Sequence, residues 1–128
     1  MRVIAIIAFL LAAWTAQAQE ASEAEKAALT DIAKCMVAGL PKDWRQAEVT
    51  IELPQPGADT GEVKYLMRRA LAGGEFETFV PCDPQLPPRR LVELRQRQTA
   101  ERAGWKSARF TLHSDGTFDL KYDYPKAN

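Results

Sequence analysis

The twenty residues WKSARFTLHSDGTFDLKYDY, Trp105 to Tyr124, restrict this chain more than any other stretch. Ala108, Phe110 and Leu112 alternate with polar neighbours on one side of Ser114-Asp115-Gly116, and Phe118, Leu120, Tyr122 and Tyr124 do so on the other. That pattern predicts an antiparallel hairpin. Both apolar sets must share one face, because a one-residue slip of register inverts every side chain. A two-residue Asp-Gly loop would set Leu112 opposite Asp119 and break the condition. A three-residue loop sets Leu112 opposite Phe118, Phe110 opposite Leu120 and Ala108 opposite Tyr122. Gly116 then supplies the left-handed residue that ends such loops, and Phe118, Leu120, Tyr122 and Tyr124 are assigned to the core.

The same register decides what the stretch can do chemically. It holds the only histidine, His113, and three aspartates, Asp115, Asp119 and Asp123. Asp119 and Asp123 fall on the outer face, about 13 Å apart at about 3.3 Å per residue, too far to share a metal or a proton. Asp115 lies in the turn, where a short carboxylate caps backbone N–H groups. His113 pairs across with Thr117. No Ser-His-Asp or Cys-His arrangement can be assembled, and no glycine-rich loop precedes a helix to cradle phosphate. The reading is of a protein that is not an enzyme, without cofactor, metal ligands or catalytic residues.

Upstream, residues 22–39 predict a helix. Ser22 and Glu25 have capping-box spacing, Leu29, Ile32, Ala33, Met36, Val37 and Leu40 form one apolar stripe, and Gly39 with Pro41 ends it. After Trp44 the period changes to two. AEVTIEL, EVKYLMRRA and EFETFV (residues 47–53, 62–70 and 75–80) read as strands, separated by QPGADTG and by Gly73-Gly74. Their connections are too short for parallel crossovers, so they form an antiparallel meander. PCDPQLPP cannot pair as a central strand, and Pro87-Pro88 introduce a second helix over residues 89–103. That helix carries Arg89, Arg90, Arg95, Arg97 and Arg102 against Glu93 and Glu101. Its apolar residues, Leu91, Val92 and Leu94, lie in its first turns, so it is expected to dock by its first half. The fold class is α+β: about five antiparallel strands, meander plus hairpin, packed with an N-terminal helix and an arginine-rich helix.

The first residues, MRVIAIIAFLLAAWTAQAQE, have the form of a cleavable leader. Arg2 is followed by an apolar run too short to span a bilayer, and Ala16-Gln17-Ala18 is small-x-small. Residues 1–18 are read as a signal peptide cut after Ala18, and 19–128 as a single domain, periplasmic or secreted and not inserted in the membrane. The leader holds Arg2 and no acid, so 17 basic residues become 16 against 17 acidic ones. A mature charge of about −1 gives no basis for binding nucleic acid or lipid by bulk charge. Cys35 and Cys82, an even count in an exported chain, predict one disulfide closing a loop of about 48 residues.

On these features the chain resembles the YezG-like immunity proteins, antitoxin partners of bacterial polymorphic toxins. The shared elements are an N-terminal helix, strands like AEVTIEL and GEVKYLMRR, and a charged helix like RRLVELRQRQ. The end takes the form Trp105, alternating strand, Asp115-Gly116-x-Phe118, then Asp123-Tyr124. The resemblance implies an α+β protein that binds a cognate toxin and carries no catalytic residues, with Trp105, Gly116, Phe118 and Tyr124 in structural roles. The leader and the cysteine pair lie outside it, and they direct an exported member toward a toxin acting on cell wall or membrane. The expected function is an immunity-like or inhibitor-like protein-binding module. Its acidic hairpin (Asp115, Asp119, Asp123) and its arginine helix would form complementary surfaces for a protein partner. The alternative is a carrier of a lipid or metabolite, with Met36, Met67, Tyr65 and Phe76 around an apolar cavity.

Overall fold

The computed structural model describes residues 23–70 and 74–125. The leader, Ser22 of the expected capping box and Gly73 lie outside them. A first helix, α1, runs over residues 23–37. Its stripe buries Leu29, Ile32 and Met36 to 3% exposure or less, and the chain then turns through Ala38 and Gly39. Gly39 is required by a close approach: a Cβ there would meet the Val80 carbonyl oxygen at 1.8 Å. The end of α1 therefore abuts the segment that leads to Cys82.

The strands are β1 (Trp44–Glu52), β2 (Glu62–Arg69), β3 (Phe76–Thr78), β4 (Ser107–His113) and β5 (Phe118–Asp123). All neighbouring pairs are antiparallel and the order is β3-β2-β1-β4-β5. Meander and hairpin are thus one sheet, joined where β1 pairs with β4: Ala47 faces Leu112, Val49 faces Phe110 and Ile51 faces Ala108. The hairpin has the expected register, Leu112 to Phe118, Phe110 to Leu120 and Ala108 to Tyr122. Gly116 closes its loop at φ 91°. The third strand is shorter than the 75–80 expected; the Phe79 N–H still donates to the Tyr65 carbonyl at 3.3 Å, its ring packs edge-on against Tyr65 at 5.7 Å between centres, and Val80 is exposed.

One face of the sheet carries the core. Ala47, Val49, Ile51, Met67, Ala108, Phe110 and Leu112 pack there against Leu29, Ile32 and Met36 of α1 and Leu91, Val92 and Leu94 of a second helix. Trp105 sits among them at 0% exposure. The opposite face is covered by neither helix and presents Glu48, Lys64, Arg109, Asp119 and Lys121.

The second helix departs from expectation. In place of one helix over 89–103 there is α2 (Leu86–Arg95), a break at 96–99, and the short α3 (Ala100–Ala103). The reason is burial. α2 has Pro87, Leu91, Val92 and Leu94 to anchor it, whereas α3 buries no residue. Thr99 takes the extended conformation of an N-cap, φ −63° and ψ 158°, and restarts the chain. Gln98 in the break accepts a hydrogen bond from the Trp105 indole N–H at 3.3 Å.

Before α2, Asp83 accepts a hydrogen bond from the Gln85 N–H at 3.0 Å, a local turn ahead of the proline-led first turn. Cys35 and Cys82 form the expected disulfide, with 4.8 Å between their Cα atoms. The Cys82 N–H also donates to the Cys35 carbonyl at 2.8 Å. A disulfide fits a chain that works outside the reducing cytoplasm.

The assignment of Phe118 and Tyr124 to the core is corrected. They are 41% and 45% exposed, and Leu120 and Tyr122 are half-buried. β5 is an edge strand, so its inward side chains meet the covering helix only along part of their length. Phe118 still packs on Phe110 (5.6 Å between centres) and Tyr122 on Trp105 (5.5 Å). The Tyr124 hydroxyl donates to the Arg102 carbonyl at 2.9 Å, tying the strand end to α3.

Candidate functional site

The five arginines of residues 89–102 separate into two groups. Arg90 pairs with Glu93 one turn on at 3.1 Å and reaches Asp31 of α1 at 3.5 Å, joining the two helices. Arg95 donates to the carbonyls of Ala58 and Gly57 at 2.8 and 3.1 Å and to Asp59 at 3.1 Å. Its guanidinium lies 5.8 Å from the centre of the Trp105 ring, and its side chain is only 11% exposed. That set of partners pins the loop after β1 to α2, a structural role. Arg89, Arg97 and Arg102 are exposed and make no ion pair among the described residues.

Arg97 and Arg102 converge. They line a cleft of about 460 Å³ with Ala24 and Glu25 of α1, Leu94, Gln98, Thr99 and Tyr122. The helix break forms part of its wall: Arg97, Gln98 and Thr99 lie in the break and Arg102 in α3, and all four border the cleft with Tyr122 of β5. Burial, and next the Glu25 carboxylate, push the Tyr122 hydroxyl up to about 12; a hydrogen bond with Gln98 and the Arg102 charge act the other way. The hydroxyl is therefore a neutral donor throughout the physiological range. Two guanidinium groups, one carboxylate (Glu25), a neutral phenol and an amide line one opening; with the bases in excess by one, it suits a carboxylate-bearing or otherwise anionic group.

The aspartates do not form one surface. Asp115 caps the hairpin turn, accepting from the Thr117 N–H at 2.9 Å and its hydroxyl at 2.6 Å. The Thr117 hydroxyl, and then its N–H, hold the Asp115 carboxyl below the usual carboxylate value. Asp123 accepts from the Ser107 hydroxyl at 3.0 Å. Asp119 stands on the open face opposite Thr111, and His113 opposite Gln46. Among the described residues no three His, Cys, Asp or Glu side chains are placed to hold a metal ion. No protein-family model matches the chain, and no curated protein matches it either.

Two features of the site were absent from the sequence reading. One is the selection of Arg97 and Arg102 from five arginines, which depends on the break; Thr99, a good N-cap residue within an otherwise polar run, was its available trace. The other is the participation of Glu25 and Tyr122, which lie far apart in sequence. The residues considered for an apolar cavity do not enclose one. Met36 and Met67 are packed core, and Phe76 is on the far side of the sheet beneath the Arg68 guanidinium, at 4.2 Å.

Proposed function

We propose that this chain is a non-catalytic protein-binding module of the cell envelope, immunity-like or inhibitor-like, which holds an acidic feature of a protein partner in the Arg97–Arg102 cleft. The observation that carries this reading is that two exposed arginines, neither in an ion pair among the described residues, line one opening beside a neutral tyrosine, against the single carboxylate of Glu25. Arginines that only solvate a helix spread over its face. These two border one cleft, Arg97 from the break and Arg102 from α3. The disulfide supports a site of action outside the cytoplasm, and the likeness to YezG-like immunity proteins supports a toxin or an envelope-acting enzyme as the class of partner. With Arg90 joined to Asp31 of α1 and Arg95 held by the loop after β1, the cleft stands on a fixed frame, so binding needs little further ordering.

The reading is tested by comparative capture. Immobilised wild-type chain and the variant R97E/R102E are exposed to the envelope fraction and to toxins encoded by neighbouring genes. The wild type should retain one protein in stoichiometric amount, and the variant should lose it by tenfold or more, as expected for charge-assisted contacts of about 1.5 kcal/mol or greater. Absence of a stoichiometric partner, or equal capture by the variant, would reject the proposal.

A further inference from the structure

β5 ends the sheet, and it lacks most devices that make an edge unfit for pairing. It is a six-residue strand without proline, its charges (Asp119, Lys121, Asp123) all on one face, and among the described residues its only in-sheet neighbour is β4. The other edge is shorter: β3 has three residues, and Phe76 there, 41% exposed like Phe118, has the Arg68 guanidinium over its ring. The His113 N–H donates to the Thr117 carbonyl at 2.9 Å. Antiparallel ladders alternate, so Asp119 and Lys121 turn their main-chain groups toward β4. Phe118, Leu120 and Tyr122 therefore turn theirs to the free edge, as a row of donors and acceptors unpaired among the described residues.

The side chains of β5 are also unfinished. On the open face Lys121 stands directly opposite Arg109, a like charge, and Asp119 opposite the neutral Thr111. Neither Asp119 nor Lys121 enters an ion pair among the described residues. On the covered face Phe118 is 41% exposed and shares an apolar groove with Ala33, Val37 and Trp44.

We infer that β5 pairs with β5 of a second copy of this chain, antiparallel and centred on Leu120, giving a continuous sheet across a two-fold axis. Directly opposite residues must share a face, which restricts the possible centres. Centring on Leu120 sets Asp119 opposite Lys121 of the second copy and Lys121 opposite its Asp119. It also sets Phe118 opposite the other Tyr122, twice, and Leu120 opposite Leu120. Every outward main-chain group of Phe118, Leu120 and Tyr122 then finds a partner. Centring on Asp119 sets two aspartates together, and centring on Lys121 sets two lysines together with two Asp119–Asp123 pairs. Centring on Tyr122 draws on Tyr124 and Pro125, beyond the end of the strand. One register alone satisfies charge, face and hydrogen bonds within β5. This inference shares Tyr122 with the arginine cleft but uses none of that site's arginines, and its test changes only Asp119 and Lys121, which do not line the cleft.

The test is charge exchange, read by sedimentation equilibrium of the purified oxidised chain. The wild type should dimerise. D119K and K121D should each weaken the dimer by about tenfold or more, since each turns two attractive cross-strand pairs into two repulsive ones. The double variant D119K/K121D restores opposite charges at both positions and should return the dimerisation constant to near the wild-type value. Far-UV circular dichroism and melting of each variant confirm that the monomer is folded; a single variant that fails to fold is replaced by D119N or K121Q, for which partial weakening is expected. A wild type that stays monomeric to its solubility limit overturns the inference. So does a dimer indifferent to the single changes, or a double variant no tighter than the singles.

Discussion

A Cβ built on Gly39 would lie 1.8 Å from the Val80 carbonyl oxygen and 2.7 Å from its carbon, and both atoms belong to backbone that cannot swing aside. Gly39→Ala must therefore displace either the end of α1 or the segment carrying Cys82. A loss of about 2–3 kcal/mol is expected, at the upper end of overpacking effects, and urea unfolding would show it as a lowered midpoint. Gly104→Ala is the matched control. No atom lies within 4 Å of a Cβ there and φ is −83°, so little change is expected. Tyr122 gives a prediction of a different kind. Its folded-state value of about 12 lies above the ordinary 10.0. The native state thus holds the phenolic proton more tightly than the unfolded chain does. That contribution is complete below pH 10 and is lost as pH rises through about 12. Stability measured by urea at a series of alkaline pH values should fall across this window, and Tyr122→Phe should make the fall shallower.

The hairpin β4–β5 shows what kind of element a sequence discloses. Its register follows from residues within twenty positions of one another, since two apolar sets and one glycine leave a single way to share a face. Gly116 at φ 91° with open space around it carries a backbone requirement and no packing one. Gly116→Ala should cost about 1–2 kcal/mol and Gly116→Asn less, because asparagine tolerates the left-handed region better. Thermal melts of the two variants would rank them. In the turn, Thr117→Val should raise the Asp115 titration, followed by carboxyl-carbon NMR, part of the way to the ordinary value, since the Thr117 N–H remains. Because the folded value is depressed, the Asp115 contribution is present above the ordinary carboxylate range and is lost as pH falls through the lower value. The arginine helix was less legible for the opposite reason. Helical spacing over 89–103 says how residues would align if a helix formed, but Leu91, Val92 and Leu94 can hold only its first half. Where it breaks depends on Trp105 being drawn into a core assembled by α1 and the central strands. The β1–β4 pairing has the same non-local origin. Alternation within each strand is satisfied by several sheet orders, and the one observed comes from burying Val49, Ile51 and Phe110 together. The cleft required both non-local facts, so its arginines could be counted from the sequence but not selected.

Among the described residues the helical cover, α1 and α2, lies on one face of a single sheet, and the disulfide ties these two parts together. Cys35 lies in the last turn of α1 and Cys82 four residues before α2, and the two are 47 positions apart in sequence. The loop they close contains β1, β2 and β3, so the bond restricts the unfolded chain across most of the meander. The chain-entropy model gives about 4 kcal/mol for such a loop. That is a large share of the 5–15 kcal/mol typical of a domain. Cys35→Ser with Cys82→Ser should therefore lower the unfolding free energy by roughly that amount. It should also raise the denaturant slope, because an uncrosslinked chain exposes more surface on unfolding. The loss should not be uniform in space. β1 and β4 sit in the middle of the sheet and keep their ladders on both sides, whereas α1 and α2 are otherwise joined by buried apolar side chains and the exposed Arg90–Asp31 pair. Hydrogen exchange on the double variant should show protection falling first over 23–37 and 86–95, with β1 and β4 opening only at global unfolding. Equal loss of protection in β1 and the helices would mean that the disulfide acts through the unfolded chain alone, without a separable helical layer.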